Sequence, residues 1–263
     1  MSRFEKDTAI HLRDEGIYDV TLDDGWSIGD KPNGGYLLAI LARAALEATD
    51  KPAPLAVSAH YLRAPSSGPA EVRTEVVRSG RRVSTARSTI WQGDKPYIDA
   101  LVTVGELHDA PVEWDDKTEP VLPAPEECEV AHNPHLHISL FEQIELRVDP
   151  ATAPFPAPNG DPSMRFWFKL ADGAPTDLLS LLLAVDSGPP TVFHLNKLGW
   201  APTVELTVLL RGLPAPGWLK VESKTATVAD GWFDETATAW DSTGRMVAQS
   251  RQLALVGEPT RSS

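Results

Sequence analysis

An internal duplication constrains this chain more than any other feature of its sequence. Residues 62–106 and 210–258 follow the same order: a turn with arginine and proline, short β-branched or alternating runs separated by glycine-containing turns, and a final Gly-Glu pair. Such runs predict antiparallel hairpins. One apolar segment rich in helix formers precedes each set, at 36–48 and at 178–186, and a helix that is apolar nearly all round is buried. The simplest interpretation is two copies of one unit, each a buried helix followed by antiparallel strands.

The segment between the two copies differs from them in composition. Ten of the 23 prolines lie between residues 111 and 162, and residues 106–150 carry twelve acidic side chains against two basic ones. Proline removes a backbone donor and like charges extend a chain, so this composition is typical of a connector. We therefore expect an N-terminal unit at 1–106, an acidic Pro-rich linker at 107–137, a C-terminal unit at 138–258 and a short tail at 259–263.

Composition also limits the class of protein. The formal net charge of -13 argues against general affinity for nucleic acid or anionic membrane, which needs clustered lysine and arginine. No apolar run in the sequence approaches the length of a membrane span, and Cys128 has no second cysteine to pair with. We expect a soluble, cytoplasmic protein.

Several short motifs occur in a specific order: Asn-Gly-Gly at 33–35 opening the first helix, His-Tyr-Leu-Arg-Ala-Pro at 60–65, an arginine-rich turn at 78–87 and Gln-Gly-Asp-Lys-Pro at 92–96. With these motifs the chain resembles the type II (TesB-like) acyl-CoA thioesterases over nearly all of residues 25–257. The resemblance implies an α+β double hotdog, with two antiparallel sheets each wrapped around one long buried helix. It further implies hydrolysis of acyl-CoA to free fatty acid and coenzyme A in lipid metabolism, with no metal or cofactor. The expected partners are the small-molecule acyl-CoA substrate and further copies of the chain in a homo-oligomer, with no nucleic acid and no membrane insertion.

The resemblance also implies a catalytic set. The family uses an Asp, a Thr and a Gln from the second hotdog to activate the attacking water, and by motif these positions are Asp186, Thr203 and Gln252. The residue pattern supports Asp186 independently, since helical spacing from Leu179, Leu182 and Leu183 puts its carboxyl group on an apolar face, where a lone charge is costly. A polar helix terminus is the alternative interpretation.

The pattern alone says less about the two strand residues. Gln252 alternates with small side chains that leave room for a ligand. By strand parity, however, Thr203 shares a face with Glu205, while Val204 should face the helix. Either Pro202 disturbs the start of the strand, or the site lies on the other side of the sheet.

Further residues are candidates for substrate binding. The backbone N–H groups of Gly34 and Gly35 open the first helix, where unpaired donors and positive potential suit an oxyanion. Arg63, Arg81 and Arg87 are candidates for the coenzyme A phosphates, with a solvated basic strand face as the alternative.

Other functions are less well supported. A catalytically silent acyl-CoA or acyl-chain binding protein of the same fold stays open, because fold does not fix function. A hotdog dehydratase or hydratase would need a histidine in or before a helix, and neither 26–48 nor 176–186 contains one. The Gly-x-Ser-x-Gly sequence at 25–29 lacks the strand and helix of a nucleophile elbow. The three histidines at 132, 135 and 137 lack the partners of a zinc site.

Overall fold

The computed structural model describes residues 1–108, 110, 112–116, 118–131 and 137–257. Its helices are α1 (Arg3–Asp7), α2 (Gly34–Thr49) and α3 (Leu178–Ala184). The strands of the first half are β1 (His11–Asp14), β2 (Ile17–Leu22), β3 (Ser27–Ile28), β4 (Lys31–Pro32), β5 (Ala53–Tyr61), β6 (Gly68–Arg78), β7 (Ser84–Gln92) and β8 (Lys95–Gly105). Those that follow are β9 (Glu129–Val130), β10 (Ile144–Val148), β11 (Ser163–Leu170), β12 (Thr203–Leu210), β13 (Leu219–Lys224), β14 (Val228–Ala229), β15 (Trp232–Trp240) and β16 (Met246–Leu255).

The two main helices begin at side-chain caps, but they differ in length. The Asn33 side chain caps α2 by accepting from the Tyr36 N–H at 3.0 Å, and Asp177 caps α3 by accepting from the Ser180 N–H at 2.7 Å. Helix α2 has 16 residues, whereas α3 has only seven. The prediction of a long second helix that includes Asp186 is therefore wrong. The Ser-Gly-Pro-Pro sequence at 187–190 cannot continue a helix, and Asp186 lies in the turn after it.

The two halves share one sheet. The first half has the strand order β1-β2-β6-β7-β8-β5, and the second continues it as β12-β16-β15-β13-β11-β10-β9, all antiparallel. Strands β5 and β12 join the halves, with His60 opposite Glu205 and Ala56 opposite Leu209. The expected two separate sheets are thus one continuous sheet in the described chain. This pairing satisfies the backbone groups of two strands that would otherwise be exposed edges.

The core is continuous across the two halves as well. Helix α2 packs on β5, β6, β7 and β8, and it also packs on α3. The helices approach most closely at Gly35, where a Cβ atom would lie 2.4 Å from the Leu182 carbonyl oxygen. Only glycine permits this approach. The start of α2 is therefore fixed beside the end of α3.

The predicted linker is partly structured. A 3₁₀ turn at Pro125–Glu127 leads into β9, which pairs with β10, and Cys128 is buried between them in the chain. Part of the expected linker at 107–137 therefore packs on the second half. The expected tail at 259–263 lies outside the described residues. Within the described residues, no helix is both long and apolar enough to cross a membrane.

Candidate active site

A cavity of about 970 Å³ opens where the two halves meet. Its wall includes the start of α2 and the end of β5 from the first half, and the turn after α3 with parts of β12, β15 and β16 from the second. Asp186, Thr203 and Gln252 all line it. The structure therefore brings the three sequence-predicted catalytic candidates to one cavity.

Asp186 is held by the N-terminus of α2. Its Oδ2 accepts from the Gly35 N–H at 2.7 Å and from Asn33 Nδ2 at 3.2 Å, and Asn33 Nδ2 also donates to the Asp186 carbonyl oxygen at 2.9 Å. Because Asn33 Oδ1 caps the helix, its amide nitrogen must face Asp186. The positive end of the helix also favours a negative charge here. The carboxylate is thus fixed in position on the cavity wall.

The proton affinity of Asp186 is unusual for an aspartate. Burial raises the pKa of its carboxyl group to about 7, and the nearby Glu235 adds to the increase, against the opposing hydrogen bonds from Gly35 and Asn33. A carboxyl group with this pKa exchanges protons readily near neutral pH. Asp186 is therefore suited to accept a proton from water and to return it later.

Thr203 reaches the cavity because β12 contains a bulge. Thr203 lies opposite Ala254 of β16 and Glu205 opposite Leu253, so Val204 is the extra residue. A bulge reverses the parity of the residues before it, and Thr203 thereby shares the inner face with Ala254 and Gln252. Its Oγ1 donates to Gln252 Oε1 at 2.7 Å. The bulge settles the question that strand parity left open: Thr203 is on the cavity side of the sheet.

Glu235 is a functional candidate that the sequence analysis missed. It lies on β15 directly opposite Gln252, and its buried carboxylate accepts from Gln252 Nε2 at 3.1 Å. The signal was available, because Phe233 and Ala237 alternate with Glu235 and place it on the apolar face of the strand. Burial raises the pKa of Glu235, and hydrogen bonds from Thr191 and Gln252 oppose the increase. Glu235 also lines the cavity.

Tyr61 is a second residue of the cavity wall that was not predicted as part of the site. Its hydroxyl group is buried without a hydrogen-bond partner among the described residues. A Cβ atom on Gly34 would lie 2.8 Å from both Tyr61 Oη and Asp186 Oδ2, so the space at Gly34 separates two facing polar groups. Burial, then the charge of Asp186, raise the pKa of Tyr61 well above its usual value, which keeps the phenol protonated.

The predicted binding residues separate into two groups. Gly34 and Arg63 line the cavity, whereas Gly35, Arg81 and Arg87 do not. The Gly35 N–H already donates to Asp186, so this donor is not available to an oxyanion. Arg87 donates from Nε to Asp99 Oδ1 at 2.9 Å on the outer face of the sheet, and Arg81 lies in the exposed turn between β6 and β7. Neither arginine takes part in the cavity.

No cluster of three or more metal-ligating side chains occurs within the described parts of the chain. His132 and His135 lie outside the described residues. His137 lies 3.5 Å from Glu142.

The architecture defines the class of protein: a duplicated helix-and-sheet unit with a shared cavity is a double hotdog. A protein from Alicyclobacillus acidocaldarius with a hot dog fold is similar to this chain with a TM-score of 0.89 and 19% identity, over 99% of this chain and 100% of its own. A structure from Thermobifida fusca, provisionally named a thioesterase II, is 37% identical with a TM-score of 0.91 and covers 98% of both chains.

Two family models match the sequence: the acyl-CoA thioesterase N-terminal domain at residues 22–105 and the acyl-CoA thioesterase C-terminal domain at residues 125–256. The acyl-CoA thioesterase II TesB2 of Mycobacterium marinum has the same fold, with a TM-score of 0.75 at 18% identity over 98% of this chain and 99% of its own. The chain belongs to the TesB-like acyl-CoA thioesterase family.

Proposed function

We propose that this protein hydrolyses acyl-CoA thioesters to free fatty acid and coenzyme A, and that Asp186 is the general base. The observation that carries the proposal is that Asp186, Thr203 and Gln252 line one cavity, where the Asp186 carboxyl group has a pKa of about 7. Membership of the family supports the reaction class.

The reaction needs one base and one water molecule. Ionised Asp186 accepts a proton from the water, whose oxygen forms a bond to the thioester carbonyl carbon. When the tetrahedral intermediate collapses, the carbon–sulfur bond breaks, and the electron pair leaves on sulfur. Asp186 then returns the proton to the thiolate, so that the products are a carboxylic acid and a free thiol.

Thr203 and Gln252 orient the water in this scheme. The hydroxyl hydrogen of Thr203 is given to Gln252 Oε1, which leaves the lone pairs of Oγ1 to accept a hydrogen bond from the water. Gln252 Nε2 gives one hydrogen to Glu235 and has a second one left for the cavity. Gly34 remains the backbone candidate for the developing oxyanion.

The cavity suits an amphipathic substrate. Apolar side chains that suit an acyl chain line much of it, among them Phe141, Phe155, Phe193 and Phe233. Lys31 and Arg63 also line the wall and supply positive charge for phosphate groups. A wall with both apolar and basic side chains favours an acyl group joined to an anionic carrier such as coenzyme A.

The substitution Asp186→Asn tests the proposal. Asparagine has the same shape and can still accept from the Gly35 N–H, so the fold is retained, but it cannot take a proton. We expect wild type to release free thiol from members of an acyl-CoA series of increasing chain length, and the variant to lose release by about 100-fold or more.

The matched control is Asp241→Asn. Asp241 is also a buried carboxylate of the second half, held by Ala215, Thr243 and Arg245, and it does not line the cavity. This variant should retain wild-type activity. Wild-type thiol release from Asp186→Asn would overturn the assignment of the base, and acyl-CoA binding without release by wild type would favour the silent binding protein.

A further inference from the structure

A chain of hydrogen bonds runs from Thr225, directly after β13, to the cavity through Glu235. The Glu235 network consists of Thr225, Thr191, Glu235, Gln252 and Thr203. Thr191 donates to Glu235 Oε2 twice, from its backbone N–H at 2.8 Å and from its hydroxyl group at 2.7 Å. Because the Thr191 hydrogen is used in this way, Thr225 must donate to Thr191 across their 2.8 Å contact. The donors on both sides of the carboxylate therefore point toward Glu235.

The carboxylate fixes the orientation of the Gln252 amide. An ionised carboxylate only accepts hydrogen bonds, so Gln252 must present its nitrogen to Glu235, at 3.1 Å. Its oxygen then faces Thr203 and accepts the hydroxyl hydrogen at 2.7 Å. If the amide rotated by 180°, its oxygen would face the carboxylate and its nitrogen would face the Thr203 hydroxyl. The negative charge on Glu235 thus determines which way the Thr203 hydrogen points.

We propose that Glu235 is a positioning residue, which sets the Gln252 amide so that the Thr203 hydroxyl presents its lone pairs to the attacking water. Glu235, Gln252 and Thr203 lie on the neighbouring strands β15, β16 and β12, and all three line the cavity. This inference rests on the proposed hydrolysis for its kinetic consequences, but the geometry of the amide can be tested without turnover.

The charge of Glu235 has a second effect, on Asp186. Glu235 raises the pKa of Asp186, and Asp234 raises that of Glu235. The other titratable group that faces Asp186 is Tyr61, which stays protonated and neutral. Gly35 and Asn33 donate hydrogen bonds to Asp186, and Thr191 and Gln252 donate to Glu235. Removing the charge at residue 235 therefore lowers the pKa of Asp186. The acid limb of the pH–rate profile, which reports ionisation of the base, moves to lower pH.

The substitution Glu235→Gln tests the proposal, because it retains the shape but lets the Gln252 amide adopt either orientation. We expect kcat to fall about 100-fold through misplacement of Thr203 and the water, with KM little changed and the acid limb at lower pH. Thr191→Val removes the hydroxyl donor to Glu235 Oε2 but keeps the backbone donor, and it should give a smaller fall in kcat. Asp241→Asn is the control for neutralising a buried carboxylate of the same half, and its pH profile should match wild type.

A purely structural role for Glu235 predicts a different result. In that case Glu235→Gln would lower the melting temperature and the amount of active protein, with the acid limb unmoved. Wild-type kcat and an unmoved acid limb in Glu235→Gln, together with loss of activity in Asp186→Asn, would overturn this inference and leave the proposed function intact.

A nuclear magnetic resonance experiment keeps the test valid if wild type hydrolyses no acyl-CoA. The side-chain amide signals of Gln252, assigned by their loss in Gln252→Ala, should include one hydrogen shifted by its bond to a carboxylate. That shift should disappear in Glu235→Gln and persist in Asp241→Asn. A wild-type Gln252 amide without a shifted hydrogen would overturn the positioning role whatever the activity.

Discussion

The inner face of the sheet differs in polarity between the two halves. In the first half, β5 and β8 present Val57, Ala59, Ile98 and Ala100, all buried and apolar. In the second half, the corresponding surface of β12, β15 and β16 carries Thr203, Glu235 and Gln252.

The helices show the opposite division. The first half contributes the long helix, whose Asn33 amide and Gly35 N–H hold Asp186. The second half contributes the short helix, after which Asp186 itself is placed. One half thus supplies the hydrogen-bond donors that hold Asp186, while the other supplies the side chains that can exchange or orient protons. A duplicated fold can divide a site in this way because the pairing of β5 with β12 and the packing of α2 on α3 hold the two units together.

Among the variants that test this division, Gly35→Ala has the largest expected effect. Its Cβ atom would lie 2.4 Å from the Leu182 carbonyl oxygen and 2.8 Å from Leu183 Cα, so α2 and α3 must separate. We expect a loss of about 1–3 kcal/mol in the free energy of unfolding, measured by chemical denaturation, and a fall in kcat because the Gly35 N–H leaves Asp186. Gly212→Ala is the control, since its nearest neighbour would be an Arg245 side-chain atom at 3.6 Å. Equal stability of the two variants would mean that the helices do not need this close approach.

Asn33→Asp tests the donor function of the first half with less effect on the fold. Aspartate caps a helix as well as asparagine does, so the bond to the Tyr36 N–H is retained. However, the variant loses the amide donor to Asp186 Oδ2 and adds a like charge, and both changes raise the pKa of Asp186. The acid limb of the pH–rate profile should move to higher pH. At a fixed pH on that limb, the rate should fall roughly tenfold for each pKa unit by which Asp186 is raised. An acid limb at the wild-type position would show that Asn33 does not control Asp186.

The local features of the fold could be predicted from the sequence, because they depend on local patterns. Helix α2 extends only a few residues beyond the predicted 36–48, and its apolar composition correctly indicated burial. The hairpins also follow from alternation and glycine turns. The pairing of β5 with β12 could not be predicted in this way, because it depends on two edges more than 140 residues apart in the sequence, and neither strand carries a signal for its partner.

The candidate site was predictable to a similar extent. The resemblance identified Asp186, Thr203 and Gln252, which the cavity brings together. Strand parity left the face of Thr203 open, because a bulge has no clear sequence signal. The Gly35 N–H was expected to donate to the oxyanion, but the close approach of α2 and α3 lets it donate to Asp186 instead. Glu235 was missed although its alternation with Phe233 was visible. Non-local contacts, rather than composition, account for these differences.

The variant with the smallest expected effect is Tyr61→Phe. It tests whether the first half also contributes a catalytic side chain. The Tyr61 hydroxyl is buried without a partner among the described residues, so its removal should leave the melting temperature unchanged or slightly higher. Tyr36→Phe is the contrasting control, because the Tyr36 hydroxyl donates to the Asp7 carbonyl oxygen at 2.7 Å and accepts from the Asp23 N–H at 3.1 Å. Its loss should cost about 1–3 kcal/mol by leaving those groups unpaired.

The kinetics of Tyr61→Phe decide what the first half contributes to the reaction. If no side chain of that half touches the reacting thioester, kcat should stay close to the wild-type value, measured as thiol release at a pH above the acid limb. A fall of about 100-fold, the size of effect given by losing an oxyanion donor, would contradict this view. It would mean that the Tyr61 hydroxyl donates to the reacting thioester, and that both halves of the duplication carry catalytic side chains.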